Sequence, residues 1–285
     1  MMVYTEMNRN KNSKRKQSEQ GNKHMDFSLK LGVIIMMILV VLVVLSFFWL
    51  PYDANSMNGA EKFAAPSWKH IMGTDNYGRD IFSRVCEGLR VTFIVAVSTV
   101  LIGLAAGIIV GAFTGFFGGL ADEILMRFND ALASFPSILL ALIFVSILGS
   151  GKYKIILSLG IIFIPGFVRI VRSEFIRLKH LDYVKSARLT GAKTMRIIFV
   201  HMLPNAVPTL VASAAVGFNN AVLAESSMSF LGIGVQPPDA SLGRMLSEAK
   251  GYIFSSPWGS IFPGIMIILL ILGVVLIGEG VGEHA

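Results

Sequence analysis

The segment Asp182 to Asn205, DYVKSARLTGAKTMRIIFVHMLPN, is basic and helix-forming, and it lies between two stretches apolar enough to cross a bilayer. So much charged helical sequence between two membrane spans reads as a surface on which something docks. Asp182 is placed to cap a short helix carrying Tyr183, Val184, Ala187 and Leu189. Gly191 then breaks that helix and supplies a turn. A second helix begins near Thr194, presents Ile197, Ile198, Val200 and His201, and is expected to stop at Leu203-Pro204. The result is a helix-turn-helix along the membrane surface, and its charge alone leaves open whether it meets lipid or a protein partner.

Working outward, the composition makes the chain an integral membrane protein. With 285 residues, 54% hydrophobic residues, 15% charged and a mean hydropathy of +0.66, it has more apolar side chain than one soluble core requires. Runs of about 20 apolar residues, the length that spans a bilayer as helix, are Leu31 to Leu50, Val91 to Phe117, Ala131 to Leu148, Tyr153 to Val171, Ala206 to Leu231 and Trp258 to Ile277. The expected fold is all-α with six transmembrane helices. Pro136 interrupts the third run. Gly103, Gly107, Gly111 and Gly115 in the second mark a face for close helix packing, either within the chain or at a subunit interface. The single cysteine, Cys86, has no partner for an internal disulfide and reads as a small buried side chain.

Orientation follows from the positive charges. The first 30 residues carry Arg9, Lys11, Lys14, Arg15, Lys16, Lys23 and Lys30, and the loop from Arg169 to Arg196 carries eight more basic residues. Six crossings put both on one side, and the positive-inside rule makes that side the cytoplasm, with both termini there. The segment Pro51 to Arg90 balances five basic against five acidic residues, and Gly232 to Pro257 carries only Arg244 and Lys250 as basic residues, as outer segments should. The net charge of +7 is therefore a topology signal and not a nucleic-acid footprint. Residues 1–26 are too polar to fold alone and are expected to be a disordered cytoplasmic stretch. Residues 27–90 form the first span and an outer segment, and 91–285 the main transmembrane domain with its docking loop at 172–205. No small-x-small site follows Leu50, so the first span reads as a signal anchor and not a cleaved leader.

The docking segment resembles the EAA loop of ABC importer permeases, whose pattern is Glu-Ala-Ala, three residues, Gly, nine residues, Ile, one residue, Leu-Pro. Here those positions hold Lys185, Ser186, Ala187, Gly191, His201, Leu203 and Pro204. The glycine and the Leu-Pro match, while Lys185, Ser186 and His201 depart from the pattern. Gly73-Thr74-Asp75 with Gly78-Arg79-Asp80, and Ala224-Glu225-Ser226 running into the stretch from Ser229 to Pro238, resemble blocks of the dipeptide, oligopeptide and nickel permeases. The resemblance covers roughly residues 25 to 280, and on it the chain is identified as a C-type (second) permease of that group.

That resemblance implies a type I importer fold and several partners: a second permease subunit forming a heterodimer, two cytoplasmic ABC ATPase subunits and an extracytoplasmic substrate-binding protein. It implies peptides, nickel or small opine-like metal chelates as cargo, and Asp182, Lys185, Ser186, Ala187, Gly191, His201, Leu203 and Pro204 as the ATPase-coupling residues. The sequence itself has no G-x-x-x-x-G-K-[ST] loop, so no nucleotide cofactor is expected here, and ATP and Mg belong to the partner ATPases.

His70, His201 and His284 lack the close spacing of a zinc site, no nucleophile, base and acid are placed together, and the 14 methionines lie mostly in apolar spans where flexible packing explains them. No catalytic or metal residues are expected. Glu225 is costly inside an apolar span. It either lines the pathway near Asn219 and Asn220, or reaches the outer interface or an internal partner. Asp75, Arg79 and Asp80 are expected to form a charge-and-turn network on the outer face, where the binding protein sits. Two other readings stay open on the residues alone: an ion-coupled secondary transporter, for which no inverted repeat is visible, and a membrane scaffold docking a cytoplasmic partner.

Overall fold

The computed structural model describes residues 27–282; the expectations for residues 1–26 and for His284 lie outside these. The chain runs α1 (Phe27–Phe48), an outer segment, α2 (Ile81–Phe117), α3 (Gly119–Ala133), α4 (Ser137–Leu148) and α5 (Lys152–Leu178). It continues through α6 (Asp182–Leu189), α7 (Thr194–Arg196), a π turn (Ile197–Met202), α8 (Leu203–Phe230), α9 (Leu242–Ala249) and α10 (Trp258–Gly282). Among the described residues, five helical stretches are long and apolar enough to cross a membrane. The bent pair α3 and α4 makes a sixth when its two helices are counted as one broken span.

The third crossing is not the single helix expected from Ala131 to Leu148. At 12 residues α4 is about 18 Å long, short of a hydrocarbon core of about 30 Å. Pro136 has no N–H to donate and disfavours helical geometry at Phe135, so the chain turns by 91° and α3 completes the crossing. The second crossing also starts ten residues earlier than its apolar run. Asp80 caps α2, its Oδ2 accepting from the Ser83 N–H at 2.8 Å. The first turns of α2 are covered by protein, since Ile81 and Val85 pack with Met245, Trp258 and Phe262.

The glycine face of α2 turns inward, against α5. A Cβ on Gly107 would lie 2.5 Å from the Phe167 Cβ, and one on Gly111 2.7 Å from the Val171 Cβ. One on Gly115 would meet the Arg172 carbonyl at 2.7 Å, so a subunit interface is ruled out for this face. Close approach of the two backbones lets dispersion contacts hold the helices together where no hydrophobic effect separates protein from lipid. Phe167 fills the space between α2 and α8, its ring tip 2.6 Å from where a Gly217 Cβ would stand. It joins Leu89, Ala96, Phe218, Val222 and Leu270 in the central core.

α1 and α10 run antiparallel, with Gly32 against Leu276 and Gly280 against Leu29. The start of α1 and the end of α10 therefore share one end of the bundle. Because α10 begins beside the start of α2, this is also the end at which α6 packs.

Candidate coupling surface and translocation cleft

α6 closes on a hydrogen-bonded C-terminal motif. The Gly191 N–H reaches the Arg188 carbonyl at 3.0 Å and the Ala192 N–H reaches back to Ala187 at 3.0 Å, with Gly191 at φ +79°. Only glycine holds that left-handed geometry without a Cβ penalty. Asp182 is not the cap. Leu181 takes that position in extended backbone, and Asp182 is the first helical residue, bonded at 2.9 Å to the Lys185 Nζ. That ammonium holds the Asp182 carboxyl below its usual range, and a negative charge in a first turn suits the helix dipole.

Val184 is fully buried and fixes α6 to Val171, Phe175 and Leu178 of α5, together with Ile197, Ile198 and Met202. The opposite side is open: Leu189 is 88% exposed, and Met195, Phe199 and Val200 are also exposed beside Lys185, Ser186 and Arg188.

The second helix does not stop at Leu203-Pro204. α7, the π turn and α8 form one continuous helix, Thr194–Phe230. Pro204 needs no acceptor, and the Leu203 N–H bonds five residues back, to the Ile198 carbonyl, so the wider turn carries the helix past the proline. His201 sits half-buried in that turn, its carbonyl accepting from the Asn205 side chain at 2.6 Å. The π turn is thus mechanically part of the long membrane helix Thr194–Phe230.

A cleft of about 590 Å³ opens between the bent pair and the α5/α8 wall. Phe135, Phe163, Phe167, Ile170 and Val216 make it mostly apolar, and Ser137, Thr209, Ser213 and Asn220 supply the polar groups. The bent pair is tied to α5 by polar contacts: Arg172 grips Asp122 through two bonds of 2.7 Å, Arg169 reaches Asp130 at 2.6 Å, and the Asn129 amide donates to the Pro165 carbonyl at 3.3 Å. Asp122 and Asp130 lie 50 and 39 residues from Arg172 and Arg169, so no local spacing in the sequence announces this contact.

The three expected pathway residues separate. Asn220 lines the cleft. Asn219 points elsewhere, its Oδ1 buried without a hydrogen-bond partner among the described residues. Glu225 has 0% exposure and internal partners: the Thr92 hydroxyl donates to Oε2 at 2.8 Å and the Ser229 hydroxyl to Oε1 at 2.7 Å. Those hydroxyls in turn accept from the backbone N–H of Leu242 and Val235, so Glu225 knots α2, α8 and the approach to α9 together.

The three expected network residues divide: Asp75 and Arg79 share one ion cluster, while Asp80 belongs to another with His70, and Arg79 and Asp80 are buried where Asp75 is partly exposed. Arg79 bonds Asp75 at 2.6 Å and Glu248 at 2.7 Å, and Glu248 also holds Arg84 at 3.1 Å and Arg244 at 3.2 Å. Asp80, besides capping α2, accepts from His70 at 2.8 Å. Trp258 donates to the Thr74 carbonyl at 3.3 Å, which ties α10 to the outer segment.

Five membrane-length helices with a bent pair, a turn continuous with one of them and an open cleft make a multi-pass helical membrane protein. The chain belongs to the family described as binding-protein-dependent transport system inner membrane component, matched over residues 107–282. It is a membrane permease subunit of an ABC importer, and its relatives are peptide permeases. It is 38% identical over 249 residues to the glutathione transport system permease protein GsiD of Pectobacterium atrosepticum, covering 86% of this chain and 83% of that one. It is 36% identical over 260 residues to the di/tripeptide transport system permease protein DppC of Pseudomonas aeruginosa, covering 89% and 86% respectively. The MetNI methionine ABC transporter, solved in inward-facing conformations, shares the fold at a TM-score of 0.54 and 21% identity, over 72% of this chain and 95% of that one.

Proposed function

We propose that this chain is the C-type permease of an importer for short peptides, paired with a second permease, driven by two cytoplasmic ATPase subunits and fed by an extracytoplasmic binding protein. The observation that carries the proposal is the exposed face of α6 and the π turn, anchored through Val184 to α5 and continuous with α8. In this reading α6 lies on the cytoplasmic side of a plasma membrane, with both termini. The coupling residues are Lys185, Ser186, Gly191 and His201 with their neighbours Asp182, Ala187, Leu203 and Pro204; ATP and Mg are held by the partner subunits.

Closure of the ATPase pair displaces α6. Through Val184 that motion passes to α5, and through the unbroken helix it passes to α8. Both helices wall the cleft, so its width follows the position of α6, and the site alternates in access. Asn220, Ser137, Thr209 and Ser213 give passing peptide amides hydrogen-bond partners, and among the described residues the cleft lining holds no charged side chain. That lining, with relatives named for glutathione and di- and tripeptides, favours peptide cargo over nickel or opine-like chelates.

The test is uptake in cells whose only copy of this chain is deleted or restored, using radiolabelled dipeptide, tripeptide and nickel. Restored peptide uptake with unchanged nickel uptake is the expected result. Peptide uptake that is indifferent to the chain overturns the substrate, and failure of ATPase subunits to copurify with it overturns the importer reading.

A further inference from the structure

The outer segment that follows α1 carries exposed aromatic surface which the transport reading does not use. Trp68 is fully exposed, and Ile71, Trp49 and Phe48 are 61%, 66% and 85% exposed. Trp49, Trp68 and Ile71 rim one shallow concavity with Tyr52 and Phe82, so residues distant in sequence make a single patch. The patch is held in place: the Tyr52 hydroxyl donates to the Lys69 carbonyl at 3.0 Å, and the Tyr52 N–H to the Ser83 hydroxyl at 3.2 Å. It also continues directly from the apolar outer face of α1, where Val40, Val41, Val44, Leu45 and Phe47 are exposed.

Depth can be read from α2, which runs beside α1. Arg90 donates to the Ser46 carbonyl at 2.7 Å, while Ser83 meets Tyr52. The seven residues from Arg90 to Ser83 rise about 10 Å along α2. Phe48, two residues past Ser46, ends α1, and the apolar stretch from Leu31 to Phe48 rises about 27 Å, close to a hydrocarbon core of about 30 Å. The concavity thus lies about 7 Å above the core edge, inside the headgroup layer, where tryptophan is most at home. Charge does not draw the patch there, because Lys69 is already paired with Glu61.

We infer that Trp68 and Ile71, with Phe48 and Trp49, form an aromatic cuff resting in the phospholipid headgroup layer of the leaflet where α1 ends, so that the outer segment is moored to lipid and does not stand free in water. The chain has three tryptophans, so Trp49→Phe with Trp258→Phe leaves Trp68 as the reporter. The full chain is reconstituted in phosphatidylcholine vesicles. Lipid brominated at carbons near the glycerol backbone is expected to quench Trp68 more than lipid brominated near the chain ends, with aqueous iodide quenching weakly.

Strong iodide quenching with none from either brominated lipid overturns the inference and leaves the patch for a protein partner. Should the double replacement misfold, a nitroxide on Trp68→Cys in a Cys86→Ser chain decides the same point. Collision with oxygen at least as frequent as with a water-soluble nickel chelate supports lipid contact, and the chelate dominating overturns it.

Discussion

The two ends of the bundle are built on opposite rules. At the end where α2 begins, polar groups are consumed within the chain: Arg79, Arg84 and Arg244 converge on Glu248, Asp80 serves both His70 and the first turn of α2, and Trp258 bonds Thr74. At the end where α6 packs, ion pairs lie at the surface, and Leu189, Met195, Phe199 and Val200 are left uncovered by the described residues. An end that satisfies itself can act as a rigid frame. Both ends leave apolar side chains exposed, Trp68 and Ile71 at the first and Leu189 and Phe199 at the second, so the difference between them lies in the ion pairs, buried in a shared network at one end and lying at the surface at the other.

The sharpest way to break the contrast is at Glu248. Glu248→Ala takes one carboxylate from the Arg79 and Arg84 guanidiniums, whose side chains are 6% and 3% exposed, and leaves Asp75 as their remaining acid. It should cost about 3 kcal/mol, the low end for stripping one partner from a buried pair, because Glu248 keeps some exposure. Thermal unfolding in detergent reads it, and an unchanged midpoint would mean that the outer frame is not held by this network. The α2–α5 seam joins the two ends, and Gly107→Ala pushes a Cβ into Phe167, with an expected loss of about 1–3 kcal/mol by the same assay.

At the α6 end the effects on folding should shrink. Gly191→Ala puts a Cβ on a residue at φ +79° and should cost about 1 kcal/mol, yet reduce uptake out of proportion, because it moves the docking face. The smallest effect is acid sensitivity of the outer segment. Lys69 and then His70 hold the Glu61 carboxyl below its ordinary range. A depressed folded pKa gives stability that is present above the unfolded value and lost as pH falls through the folded one. Tryptophan fluorescence should therefore shift slightly in acid, and Glu61→Gln should remove that part of the response.

Much of this was legible in the sequence wherever the cause is local. The apolar runs located the crossings, Gly191 located the turn, and glycines every four residues on α2 announced a tight seam. Where two distant segments share the work, the sequence was mute. Glu248 is 169 residues from Arg79, and no spacing rule links them. Pro204 reads as a helix end, yet the π turn before it redirects one hydrogen bond and the helix runs on. Pro136 gave notice of a break in the third crossing, but that α3 would complete it depends on Arg169 and Arg172, which hold α3 against α5. Glu225 looked functional because a buried acid is expensive, and its cost is met by Thr92 and Ser229, one of them on another helix.

The central claim is that energy enters through the uncovered face of α6, and Leu189→Asp in the assembled transporter tests it most directly. Leu189 touches little of its own chain, so the chain should fold and melt as before. Losing one buried leucine from a partner contact, about 1.5–3 kcal/mol, should weaken retention of the ATPase subunits about tenfold or more and reduce peptide uptake with it. ATPase subunits that copurify undiminished, with uptake unchanged, would contradict the account.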